Sequence, residues 1–141
     1  MSAFTETEIA YLIEQPLGRL ATVGPDGLPQ VKPVGVFYDP ENDGLVVGGI
    51  DMAPSKKFRD ATANPEVAVV VDDLASVDPW SPRGIEVRGR AETRTEGGEA
   101  TGERLGAGFP FSPAWILIHP RRVVCWGIGS GPFEFAARTV A

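Results

Sequence analysis

Apolar residues along this chain fall into short runs whose spacing changes period several times. Ile9, Leu12 and Ile13 recur at i, i+3 and i+4 behind Thr5-Glu6-Thr7-Glu8. That threonine, with a glutamate three residues on, fits a capping box, so a short amphipathic helix is predicted over 6–14, ended by Pro16. Residues 18–23 and 30–38 read as strands joined by the turn signal Gly24-Pro25-Asp26-Gly27, which makes them a hairpin. A second turn, Asp39-Pro40-Glu41-Asn42-Asp43-Gly44, leads into a third strand over 45–50. Residues 67–71 are uninterrupted and mostly β-branched, the pattern of a strand buried on both faces.

Residues 74–82, with Pro79-Trp80-Ser81-Pro82, read as irregular. From Gly84 the chain alternates: Ile85, Val87, Gly89 and Ala91 on one face, Glu86, Arg88 and Arg90 on the other, solvated face. Residues 95–108 are polar and glycine-rich, a surface excursion with one weak helical turn. Two more strands are predicted over 114–119 and 122–128, joined through Pro120-Arg121. Residues 131–141, with Phe133 and Phe135, form a tail that either covers the site or trails, after a domain spanning 1–130. With about seven short strands linked mostly by tight turns, the fold class is mainly β with few helices, an antiparallel Greek-key barrel.

One stretch breaks this pattern. In Pro54-Ser55-Lys56-Lys57-Phe58-Arg59, Ser55 is a good N-cap, and Asn64-Pro65 stops the helix after about two turns. Three cations in and beside the first turn oppose the helix dipole, which favours anions there. A bound anion, held by free N–H groups and basic side chains, removes the conflict. The alternative is a solvated basic patch whose lysines point apart. Gly48-Gly49, ending the third strand, marks a place where a ligand or another backbone comes close.

Composition narrows the classes. The 141 residues suit one domain, with 43% hydrophobic and 23% charged residues and a net charge of −6. An acidic balance argues against a general nucleic-acid binder. The one cysteine, Cys125, and one histidine, His119, leave no disulfide and no multi-ligand metal motif. Neither a secretory signal nor an apolar run of about 20 residues occurs, so a soluble, cytoplasmic protein with no membrane partner is expected.

The run Ser55-Lys56-Lys57 with Arg59, continued by Asn64-Pro65-Glu66-Val67-Ala68-Val69, resembles a segment of the pyridoxamine 5′-phosphate oxidase-like split β-barrel proteins. Residues 18–23 with Asp26-Gly27-Leu28-Pro29-Gln30-Val31 resemble that family's opening hairpin. The likeness runs from the first helix through Trp126 and is nearest to small members using the deazaflavin coenzyme F420, from the chain's shortness and Gln30-Val31-Lys32-Pro33-Val34. The resemblance implies a split β-barrel in which Ser55, Lys56, Lys57 and Arg59 hold the cofactor phosphate. Lys32, Pro33, Val34, Gly48, Gly49 and Ile50 would line the ring. It further implies a homodimer with a shared cleft, which Trp80, Arg83 and Trp126 would close from the partner subunit. Lys56 replaces the arginine found in the flavin mononucleotide branch, keeping charge but losing bidentate geometry.

The implied function is an F420H2-dependent reductase passing a hydride to an electron-poor C=C or C=N bond of a small organic substrate, a tetracycline-like polyketide among those the subgroup covers. Alternatives are an FMN-binding oxidoreductase on the same fold, or a non-catalytic flavin, F420 or haem carrier with His119 as axial ligand. The residues alone read more plainly: His119 as structural or exposed, Cys125 as a small buried hydrophobe, Tyr38 as locally hydrogen-bonded. Gly127-Ile128-Gly129-Ser130-Gly131 is no dinucleotide loop, because too little chain follows for a βαβ unit.

Overall fold

Thr5 caps α1 (Glu6–Glu14) through the reciprocal capping box with Glu8 that the sequence spells out. The computed structural model describes residues 2–129 and 131–141. After α1 come β1 (Leu17–Val23), β2 (Pro29–Asp39), β3 (Gly44–Gly48), α2 (Lys56–Ala63), β4 (Glu66–Ser76), β5 (Ser81–Arg94), α3 (Gly98–Leu105), β6 (Trp115–Trp126) and β7 (Phe135–Thr139). The sheet runs β3-β2-β1-β4-β5-β6-β7, and a further β3–β6 pairing closes its first six strands into an antiparallel barrel. This is the split β-barrel expected.

Alternation fills the barrel. Leu20, Val36, Val69, Val71, Ile85, Val87, Ile116, Ile118 and Val123 point inward and are buried. Phe58 and Ala61 of α2 and Leu12 of α1 pack into the same core. A smaller cluster lies outside the barrel, where Phe111, Phe109 and Leu105 cover Val46, Trp115 and Leu117. α3 is fixed there by Arg104, whose guanidinium grips both oxygens of the fully buried Asp39 at 2.8 and 3.0 Å.

Several expectations are corrected. Residues 74–82 are not irregular: β4 and β5 continue to Ser76 and Ser81 as a long hairpin. Along β4 only Val67, Val69 and Val71 are buried; Ala68 and Val70 are half-buried on the outer face, so the strand is not buried on both sides. The strands predicted over 114–119 and 122–128 are one strand, β6, and Pro120 sits at the register shift opposite Gly89. A bulge tolerates proline because the ladder is already interrupted there. α3 makes two turns instead of one weak one.

Within residues 131–141, β7 pairs along Arg122–Trp126 on the same edge of β6 that β3 occupies at 116–118. Ser130, where the domain was expected to end, lies outside the described residues. Among the described residues no helix is long and apolar enough to cross a membrane.

Candidate functional site

The split in the barrel is the feature that makes a site. β2 and β3 pair from Asp39↔Gly44 only as far as Gly35↔Gly48. Beyond that pair, residues 29–34 of β2 keep β1 as their sole strand neighbour among the described residues, and their other edge carries backbone groups with no partner among them. β3 ends, and the loop 49–55 carries the chain to α2. Lys32, Pro33 and Val34 thus stand on one limb of a fork, and Gly48, Gly49 and Ile50 on the other. Lys32 and Pro33 are exposed, Ile50 is 74% exposed, and Val34 is buried in the core.

The loop limb is held firmly. Met52 is fully buried, its N–H donates to Ser112 Oγ at 3.1 Å, and Ser112 N–H donates to Gly49 C=O at 2.7 Å. Gly48 has a packing reason of this chain's own: a Cβ there would fall inside the Phe111 ring. The close approach read from the sequence is therefore made by an aromatic side chain.

At the end of the loop, Ser55 caps α2. Its hydroxyl accepts from Phe58 N–H at 3.3 Å and donates to Met52 C=O at 2.6 Å. The N–H groups of Lys56 and Lys57, next in the first turn, have no acceptor among the described residues. The basic side chains do not converge as their proximity in sequence suggested. Lys56 turns back onto Asp60, at 3.0 and 3.1 Å from its two oxygens. Lys57 and Arg59, two residues apart on a helix, face different sides. Lys32, Lys57 and Arg59 make no ion pair among the described residues.

Gln30 was missed by the sequence reading as a site residue. It pairs with Thr22 on the β1–β2 hairpin, two residues from Lys32 and on the same strand face. Its Nε2 is buried and has no hydrogen-bond partner, alone in this among the buried side-chain atoms of the described residues. A buried donor without an acceptor is costly, so it marks where an absent acceptor belongs. Nothing in the sequence distinguishes this glutamine from any other strand residue.

The remaining candidates lie elsewhere on the chain. Arg83 donates to Asp73 at 2.7 and 2.9 Å, reaches Glu14 at 3.3 Å, and stacks on Tyr11 at 5.2 Å. These hydrogen bonds hold the Asp73 carboxyl below the usual carboxylate range. Trp126 lies over Gly84 and against Phe135, and Trp80 projects from the β4–β5 hairpin, 55% exposed. His119 is on the exposed side of β6, with Nε2 2.8 Å from Glu92. Tyr38 donates to Asp43 at 3.0 Å, and Cys125 is buried, which pushes its thiol pKa up.

The split barrel thus sets a free strand edge on β2 beside the open N-terminus of α2. Comparisons with known proteins define its class. The pyridoxamine 5′-phosphate oxidase family pattern matches residues 4–125, and the chain belongs to that family. It is 41% identical over 125 residues to the 5a,11a-dehydrotetracycline/5a,11a-dehydrooxytetracycline reductase of Streptomyces rimosus subsp. rimosus, covering 89% of this chain and 84% of that one. Among solved structures, an F420 reductase is 31% identical with a TM-score of 0.60, over 79% of this chain and 92% of its own. An FAD-binding protein from Mesorhizobium loti shares the fold at 22% identity and a TM-score of 0.63, over 85% and 92%. The relatives support an oxidoreductase.

Proposed function

We propose that this protein is an F420H2-dependent reductase acting on an electron-poor C=C or C=N bond of a small organic substrate. The fork between β2 and the 49–55 loop, ending at the first turn of α2, is the observation that carries the reading. Its chemistry fits the group: free backbone donors and acceptors along 30–34, an orphaned Gln30 donor, two open helix N–H groups and the unpaired cations Lys32 and Lys57 suit an acidic, flat cofactor.

When bound, reduced F420 supplies the hydride. The chain's own residues bind, orient and shield. Ser55, Lys57 and the first N–H groups of α2 would hold the phosphate. Lys32, Pro33, Val34, Gly49 and Ile50 would flank the ring and keep water from it. The 41% identical reductase supports a tetracycline-type polyketide as the substrate class.

The fork is open to solvent in one protomer, which favours a homodimer. The outer face of β2, β1 and β4 carries Val31, Pro33, Ala21, Ala68 and Val70, with Val31 60% exposed. A second copy packed on that face would cover the fork and bring its own Trp80 and Trp126 toward it. The haem alternative gains no support from the geometry, because His119 is paired with Glu92 on an exposed strand face.

The experiment is a titration of the purified protein with F420 and separately with FMN, then an assay of F420H2 oxidation with a dehydrotetracycline and a panel of enones. Tight F420 binding, weak FMN binding and turnover of one acceptor are expected. Tight FMN binding alone moves the chain to the flavin branch, and F420 binding without turnover of any acceptor makes it a carrier.

A further inference from the structure

The Lys56–Asp60 pair, like Arg104–Asp39 and Arg138–Glu8, holds a buried carboxylate, and of these three it is the one on α2, where the fork ends. Asp60 is 3% exposed, on the inner side of α2, yet carries a carboxylate. Both its oxygens accept from Lys56 Nζ, and Thr22 Oγ1 of β1 donates to Oδ2 at 3.4 Å. Gly24, at the start of the β1–β2 turn, is pressed against the same pair. A Cβ there would lie 3.0 Å from Asp60 Oδ1 and 3.3 Å from Lys56 Nζ. One carboxylate thus ties the first turn of α2, its second turn and the β1–β2 hairpin together.

A buried carboxylate stripped of its cation is strongly unfavourable, so a bound anion must compete with Asp60 for Lys56. Lys57 faces no such competition. We infer that Asp60 is a positioning residue of the anion site: it commits Lys56 to the fold, sets α2 beneath the β1–β2 turn, and leaves Lys57 as the helix cation that meets a bound anion. This rests on the reading of the fork as a cofactor site. It reassigns Lys56, which the run Ser55-Lys56-Lys57 places on an equal footing with its neighbour.

The test measures F420 affinity by fluorescence titration across a range of ionic strength, together with apo-protein melting. Four variants are compared: Lys57→Met, Lys56→Met, the double Lys56→Met/Asp60→Leu, and Asp60→Asn. Lys57→Met should weaken binding at least about tenfold, as for a lost charge-assisted contact, flatten its salt dependence and leave melting unchanged. Lys56→Met should lower melting and affinity together. The double variant, which removes charge from both partners, should recover melting and keep the wild-type salt dependence, because no cation that meets the anion is lost. Asp60→Asn frees Lys56, so its salt dependence should be steeper than wild type.

A double variant that melts normally but binds tenfold more weakly with a flattened salt dependence would overturn the inference and make Lys56 a ligand, with the F420 reading intact. Wild-type protein that binds neither F420 nor FMN would overturn both.

Discussion

Arg138, on the last strand, holds both oxygens of Glu8, on the first helix, at 2.6 and 2.8 Å, although Glu8 is only 3% exposed. The same guanidinium donates to Ala3 C=O at 2.6 Å. Burial pushes the Glu8 carboxyl up, but hydrogen bonds from Arg138 and the Thr5 N–H, with Arg138's charge, outweigh it and leave it below the ordinary value. Arg138→Met should cost about 2 kcal/mol in urea unfolding, less than a fully buried pair because the arginine is partly exposed. Arg138→Lys should recover only part of that, since an ammonium lacks the planar fork that spans the carboxylate and the carbonyl at once.

Asp39 makes the corresponding contact for α3, and its acid behaviour has a definite sign. The hydrogen bond from Arg104 leads, against the burial that opposes it, and the carboxyl is held at about 2 instead of 3.8. A depressed folded pKa means stability that is complete above the unfolded value and lost as pH falls toward the folded one. The pair should contribute about 2 kcal/mol at neutral pH, lost progressively between about pH 4 and pH 2. Unfolding followed against pH should lose part of that acid slope in Asp39→Asn, at the expense of lower stability at pH 7.

Gly48→Ala tests the packing at the fork. The added methyl must displace Phe111, which also packs on Phe37 and Phe109 at centroid distances of 5.9 and 5.3 Å. A loss of about 1–3 kcal/mol is expected from overpacking, read as a lower melting temperature. Phe111→Leu in the same chain should return part of it, because the shorter side chain vacates the ring's space.

Val31→Asp places a charge on the outer sheet face without touching the barrel interior. Light scattering should show a dimer for the wild type and a monomer for the variant, with F420 affinity lowered at least about tenfold if the second copy covers the fork. A variant that stays dimeric and binds normally would place the subunit contact on another face.

How much of this was legible in the sequence differs by element. α1 matched because its cap, its apolar spacing and Pro16 act locally, and the N-cap of α2 at Ser55 is equally local. β7 was not legible: Phe-Ala-Ala-Arg-Thr does not alternate, and it is a strand because the free half of β6's edge and Glu8 accept it. β6 looked like two strands because Pro120 normally ends one, and only the bulge facing Gly89 accommodates it.

The residues proposed to flank a ring were picked out through family resemblance, whereas the Lys56–Asp60 pairing was not. Lys56 and Asp60 are spaced i, i+4, a signal for a pair. What decides the pair's importance is the burial of Asp60 against Thr22 and Gly24, and that depends on a hairpin far away in sequence.

The placement of Arg138 also sets an order of events in the cell. Glu8 is synthesised well before its partner, which lies 130 positions later. While the chain is still emerging, α1 carries a carboxylate with no cation to meet it, and half of β6's edge has no strand beside it. The barrel can assemble in that interval, but its first helix cannot dock with its charge satisfied. The docking of α1 therefore waits until β7 has been made, so a contact between an early and a late segment completes the fold.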